Sequence, residues 1–477
     1  MENNNVRQKL LDKVDEINLV AHHLKTMITA GMGFFTDAYD LFVIGVVIAL
    51  LTPIWHLTTF QVAILGSTSL IAATLGALVF GKIADIFGRK AIYGIEVLIL
   101  TIAAIFSAFS KDITQLIIWR FILGLGIGGD YPISAIIMSE YANRKDRGKL
   151  VSMVFAMQGL GLIAGPIVAL LILSAGVPHD IAWRFLLALG AIPAASVIYL
   201  RRKIKETPHY SLSVKGDVGA TVSAIKDLNG GHVGIEHRDI QNVNAEHLKV
   251  KAKWLDLFTY PNILRVIGTA GGWFLMDWAF YGNSISWPLV MKSFIPHATL
   301  LQGLTMSTIV FILFAAPFYW VAAFKMDSLG RRFIQILGFI GMAVMYLIIS
   351  LTGYAGIVMP AVLFILVFGI SYVFTEFGPN TTTFVYPAEV FPTSIRGAGN
   401  GIAAGAGKFG AFMGTFLFPL LLKRIHIGGT FMVLVVVCLL GAVITMLTLP
   451  ESKQVSLSKV SDEEKYVKKM EVSKSTK

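Results

Sequence analysis

Charge is what this chain most lacks. Asp, Glu, Lys and Arg make up 14% of its 477 residues, against 55% for hydrophobic types. That balance excludes an ordinary water-soluble globule, in which about a quarter of the residues are charged. Cysteine is almost missing too: Cys438 stands alone, so no internal disulfide and no cysteine metal or redox pair can form. Residues 1–26 contain no apolar core followed by a small-residue cleavage site. A removable signal peptide is therefore not expected, and the first apolar helix should act as its own insertion signal. The alternating pattern of a membrane barrel strand is absent as well.

What the chain has in quantity is long apolar runs. A helix needs about 20 mainly apolar residues to cross a bilayer, and twelve stretches meet that need. They lie near 27–51, 61–83, 92–109, 114–138, 150–174, 181–200, 262–291, 301–324, 333–351, 357–378, 397–422 and 430–449. The expected fold class is an all-α membrane protein, with twelve transmembrane helices in two pseudo-symmetric six-helix bundles at 27–200 and 260–450. Residues 1–26 form a cytoplasmic segment, 201–259 a cytoplasmic linker and 451–477 a cytoplasmic basic tail.

Base outnumbers acid 40 to 29, but its placement argues against nucleic acid. Lys82, Arg89 and Lys90 share one loop, and Arg144, Lys145, Arg147 and Lys149 another. Arg201, Arg202, Lys203 and Lys205 follow, then Lys325, Arg331 and Arg332; the intervening loops hold few beyond Lys423 and Arg424. The positive-inside rule then puts both termini in the cytoplasm of a multi-pass protein of the cell membrane, and the basic excess is topological. His232, His237 and His247 in the linker lack zinc spacing and read as solvated. No metal and no cofactor is expected.

The two halves repeat. Asp85, Gly88 and Arg89 in GKIADIFGRK return as Asp327, Gly330 and Arg331, each 242 positions on, and Glu140, Arg147 and Gly148 return as Glu389, Arg396 and Gly397, each 249 on. Both echoes fall at helix ends. With these residues the chain resembles the major facilitator superfamily, whose second loop carries G-x-x-x-D-x-x-G-R-K/R. The resemblance implies two parallel halves with a site between them near the membrane midplane. It makes Asp85, Arg89, Glu140, Arg147, Asp327, Arg331, Glu389 and Arg396 gating residues, with glycine permitting the tight turn and the charges pairing across helix ends.

A charge inside the membrane costs at least about 2.5–3.5 kcal/mol by insertion scales, so each one is a functional candidate. They are Asp37, Asp40, Glu96, Arg120, Asp130, Asp277 and Lys408. Asp37 and Asp40, three apart, share a helix face and are expected to titrate as a coupled pair. Trp273, Asp277 and Tyr281 recur every fourth residue, a stripe offering an indole N–H, a carboxylate and a phenol. Tyr131 and Asn380 are repeat partners, and Pro379 and Pro387 should break the helix around Asn380. Gln158 reads equally well as a site residue or a polar clasp between helices, and Lys408 as a site residue or a structural ion pair. The glycine pairs Gly124/Gly128, Gly161/Gly165 and Gly401/Gly405 point to close helix packing. GLGIGG sits inside a spanning helix and is no dinucleotide loop.

GMGFFTDAYDLF, GGDYPISAIIMSE, WFLMDWAFYG and GPNTTTFVYPAEVFP together resemble the phosphate:proton symporter family within the superfamily, over nearly the whole chain. The resemblance implies a proton-coupled importer of inorganic phosphate. Tyr131, Gln158, Trp273, Asp277, Tyr281 and Asn380 would hold the anion, and Asp37, Asp40, Asp130, Glu96 and Arg120 would handle protons. The chemistry is consistent, because phosphate near neutral pH keeps a hydroxyl that Asp277 can accept from, while the neutral donors serve its other oxygens. Sulfate has no such proton, whereas arsenate should be poorly excluded. The expected partners are phosphate, H+ and the lipid bilayer. Rival readings are a porter for sugar or an organic or aromatic acid, which Asp277 disfavours, and a nutrient sensor, for which no large signalling domain is visible. A channel fits the repeat poorly, and no catalytic constellation suggests an enzyme.

Overall fold

The computed structural model describes residues 2–228, 248–287, 290, 299–356 and 360–467. His232, His237 and His247, the expected span ends at 291 and 357, and the tail beyond Val467 lie outside the described residues. Among the described residues, ten helices are long and apolar enough to cross a membrane. One of them, Arg396–Thr448, runs 53 residues and bends at His426, where φ is 55°, so it supplies two spans. Asn262–Ile285 adds 24 residues whose glycines, Arg265 and Asp277 lower its hydropathy without shortening it. Twelve membrane-length helices result.

Numbered along the chain, they are α1 (Ala21–Trp55), α2 (Thr59–Phe87), α3 (Arg89–Ala108), α4 (Ile113–Tyr141), α5 (Arg147–Ser174), α6 (His179–Lys203), α7 (Asn262–Ile285), α8 (Leu300–Leu329), α9 (Arg331–Tyr354), α10 (Val362–Val390), α11 (396–425) and α12 (427–448). Their starts are written in the sequence. Thr58 accepts from the Gln61 amide at α2, Asp112 from Gln115 at α4 and Thr299 from Gln302 at α8, each satisfying one of the amides a helix start leaves unpaired. The α2–α3 and α8–α9 turns pass through Gly88 (φ 101°) and Gly330 (φ 92°), where a side chain would be strained. Pro379 breaks α10 after Gly378, as its missing N–H requires.

The halves meet along two seams. On one, α2 lies so close to α11 that a Cβ on Gly81 would sit 2.4 Å from the Gly397 carbonyl oxygen; on the other, α5 meets α8 at Gly159 and Tyr319. Within the N-terminal half α4 crosses α2 at Gly124 and Gly128 and α5 crosses α1 at Gly161, while Gly401 and Gly405 of α11 lie against α2 across the seam. Between the seams aromatic rings fill the centre, Phe155 stacking on Phe384 at 4.7 Å.

Outside the membrane helices, Glu2–Glu16 is helical and short turns cover Pro208–Tyr210 and Leu457–Val460. All three pack at the end that carries the Gly88 and Gly330 turns, called here the terminal end.

Candidate functional site

At the centre, α4, α5, α7 and α11 bring their polar residues to one place. Tyr131 donates from its hydroxyl to Asp37 Oδ2 at 2.5 Å, and Lys408 Nζ donates to the Tyr131 hydroxyl at 2.7 Å and the Tyr281 hydroxyl at 3.2 Å. Gln158 Nε2 reaches Tyr281 at 3.5 Å. Lys408 and Asp37 are an ion pair at 3.7 Å. The Trp273 ring lies 5.8 Å from that of Tyr131. Asn380 joins through Tyr319, whose hydroxyl accepts its amide N–H at 2.7 Å and whose ring packs on Phe155. Four side-chain oxygens in this region are buried without a hydrogen-bond partner: Asp37 Oδ1, Gln158 Oε1, Asp277 Oδ2 and Glu376 Oε1. Such groups are costly unless something else completes them.

The acids expected to handle protons do not form one set. Asp37 and Asp40 share their helix face, yet only Asp37 joins the central cluster; Asp40 accepts from Arg120 at 2.6 and 2.7 Å, and Arg120 is steadied by Ser69. Each of these two carboxylates has its own cation, Lys408 for Asp37 and Arg120 for Asp40. Asp130 and Glu96 form a third group around Arg201, at 2.6 and 2.9 Å. Arg201 was counted among loop cations by its position; it is fully buried and also donates to the carbonyls of Thr29 and Ala30. A carboxylate pair without a visible cation was the available hint. Glu376 was passed over inside EFGPN, and its charge in an apolar run was the signal that marks it.

The eight residues expected to gate meet at the terminal end, with pseudo-symmetry. Asp85 accepts from the Gly397 and Ala398 amides at 2.9 and 2.7 Å, and Asp327 from the Gly148 and Lys149 amides at 3.1 and 2.7 Å. Each acid of one half thus caps a helix of the other, where the amides and the helix dipole favour negative charge. Glu140 takes Arg89 at 3.1 Å and Arg396 at 2.7 Å; Glu389 takes Arg331 at 2.9 Å and Arg147 at 3.2 Å. Both glutamates and all four arginines are fully buried.

Sequence reasoning missed the second layer. Glu206 accepts from the Arg89 amide and Glu451 from the Arg331 amide, while Thr207 donates to Glu140 and Ser452 to Glu389. Glu206-Thr207 and Glu451-Ser452 are themselves a repeat at constant spacing, and that was the legible signal. A third layer is asymmetric. Glu463 bonds Arg7 at 2.5 Å, pairs with Arg396 at 3.4 Å and accepts from Thr393. Burial alone would raise the Glu463 carboxyl, but Arg7 and Arg396 outweigh it and hold the group at about 2. Burial also holds the His209 imidazole beside this cluster down at about 4, against the opposing pull of Glu140.

At the opposite end, a largely apolar cavity of about 380 Å³ lies between the halves, lined by α1, α7 and α8 residues such as Phe42, Val46, Ile285, Trp287, Leu304 and Phe311. Among the described residues no cluster suited to a metal ion occurs.

Residues 25–463 match the sugar (and other) transporter family. The chain is 34% identical to the probable inorganic phosphate transporter 1-12 of Oryza sativa subsp. japonica, covering 95% of this chain and 94% of that protein. It is 33% identical to the inorganic phosphate transporter 1-4 of Arabidopsis thaliana, over 95% and 96%. Its fold is that of the proton:xylose symporter XylE, with a TM-score of 0.78 at 21% identity over 92% of this chain and 98% of that one. The protein is a multi-pass membrane protein of the major facilitator superfamily, belonging to the sugar (and other) transporter family and, within it, to the inorganic phosphate transporters.

Proposed function

We propose that the protein imports inorganic phosphate together with protons across the cell membrane by alternating access, with both termini and the closed terminal end in the cytoplasm. The observation that carries this reading is the central cluster, where neutral donors and one lysine surround a carboxylate with a spare oxygen. Dihydrogen phosphate suits it: its hydroxyl donates to Asp277, and its other oxygens accept from Tyr131, Tyr281, Trp273, Gln158 and Asn380. Names of relatives such as the Arabidopsis inorganic phosphate transporter 1-4 support the same substrate.

Lys408 supplies the link to protons. Asp37 neutralises it at 3.7 Å, and Tyr131 donates to Asp37. A proton on Asp37 releases both, so the lysine charge and the phenol turn to the anion. Loss of that proton on the other side lets Asp37 reclaim them and expels the phosphate. Asp40 with Arg120, and Asp130 and Glu96 with Arg201, lie beside this path as further proton-handling groups.

The test is uptake of labelled phosphate into liposomes holding purified protein, with and without an inward pH gradient, with sulfate and glucose as competitors. Asp277→Asn should lower uptake by roughly 10- to 100-fold, the value of one hydrogen bond to a charged group, while still reaching the membrane. Undiminished uptake removes Asp277 from the site, and uptake blocked by glucose but indifferent to phosphate replaces the substrate.

A further inference from the structure

Among the described residues, the buried carboxylates fall into two kinds. Asp37, Asp40, Glu96, Asp130, Glu140, Glu389 and Glu463 each have a lysine or arginine within ion-pair distance. Asp277 and Glu376 have none. Asp277 is accounted for by the substrate. Glu376, on α10, is fully buried, one oxygen has no partner, and the other accepts from the Asn380 amide nitrogen at 2.5 Å. The ionisable groups facing it are Tyr319 from α8, Asp277 from α7 and Tyr372 one turn away on α10, itself held by Ser284. None of them is a cation.

The Asn380 amide has two hydrogens. One goes to Tyr319 at 2.7 Å and the other to Glu376, so in this state neither is left for an anion. If Asn380 is to donate to phosphate, one of these bonds must be given up. Release from an ionised Glu376 would leave a buried charge with the Tyr319 hydroxyl as its remaining partner and no cation, which is costly. Release from a protonated Glu376 costs little, because a neutral carboxyl is a weaker acceptor.

Resting on the phosphate reading above, we propose that Glu376 is a second proton-binding site, in the C-terminal half, whose protonation frees Asn380 to bind the anion. The proton sits on a Glu376 oxygen, arrives with phosphate and leaves with it. Because the coupling is reciprocal, phosphate bound at Asn380 strengthens proton binding at Glu376 by the same factor. Asp37 and Glu376 then give each half one proton-binding group tied directly to a substrate ligand, Tyr131 and Asn380 respectively.

Three measurements test this. With a pH dye trapped in the liposomes, Glu376→Gln should carry one proton fewer per phosphate than the natural protein, and Glu376→Asp should restore the count. Phosphate binding to detergent-solubilised protein should weaken on going from acidic to alkaline pH by up to about tenfold less per pH unit in Glu376→Gln, the effect of one linked proton. In the infrared spectrum of the phosphate-bound protein, the carbonyl stretch of one protonated carboxylic acid should vanish in Glu376→Gln and return in Glu376→Asp. An unchanged proton count and pH dependence, with phosphate still carried, overturns the proposal and leaves phosphate as the substrate. Absence of phosphate binding by the natural protein overturns the substrate reading and this proposal with it, whereas the first outcome overturns this proposal alone.

Discussion

The terminal end and the membrane centre are built on opposite principles. At the terminal end the two halves are near copies: Glu140 matches Glu389, Asp85 matches Asp327, Thr207 matches Ser452, and each half's glutamate takes one arginine from its own half and one from the other. At the centre the copies diverge. The N-terminal half pairs its acids with Arg120, Arg201 and Lys408, while Asp277 and Glu376 of the C-terminal half have no cation within ion-pair distance among the described residues. Closing and opening is a symmetric task, since each half does to the other what is done to it. Binding an asymmetric, protonated anion, the task proposed for the centre, is not, and there the symmetry is lost.

The comparison breaks first at its strongest point. Glu140→Gln and Glu389→Gln each take one shared carboxylate from two buried guanidinium groups, a loss of up to about 3–5 kcal/mol, softened by the second acid each arginine keeps. The two variants should lower the melting temperature in detergent by similar amounts; a large effect from one alone would end the claim of symmetry. Gly88→Ala and Gly330→Ala come next, at about 1–3 kcal/mol for a side chain in a backbone region nearly reserved for glycine, again with equal shifts. His209 sharpens the contrast, because its repeat counterpart is Gln454. Its imidazole lies at about 4 instead of 6.5, so a form that exposes the ring binds a proton that the closed form refuses. Closure should therefore be unaffected by pH above about 6.5 and weaken as pH falls from there towards 4. Melting of His209→Leu should lose that slope, whereas Gln454→Leu should keep it. The smallest effect belongs to Lys205→Ala, which removes a half-exposed pair with Asp227 and should cost under about 1 kcal/mol.

The same contrast explains what could be read from the sequence. Helix number, the two halves and the charged turns were legible, because apolar length and a repeat at constant spacing are linear signals. The substrate candidates Tyr131, Gln158, Trp273, Asp277 and Tyr281 were legible as polar interruptions in apolar runs, and the structure brings them together. Arg201 was not, since a basic residue at the end of α6 looks like any other loop cation until the chain folds back to Asp130. Glu376 was overlooked because the prolines of its motif drew attention to backbone geometry. Arg7 and Glu463 lie in polar segments where nothing local marks a buried pair. Their partner is 456 positions away, and no periodicity reaches that far.

That last contact makes the linear chain mechanically a ring. The halves are tied once by the peptide between α6 and α7, and a second time by the Arg7–Glu463 bond, which also reaches Arg396. With a hinge fastened on both sides, the terminal end cannot swing apart like a clam. It must either cut the second fastening or carry it along, and a load placed on the segments near residues 7 or 463 is felt directly at Arg396 and, through it, at Glu140.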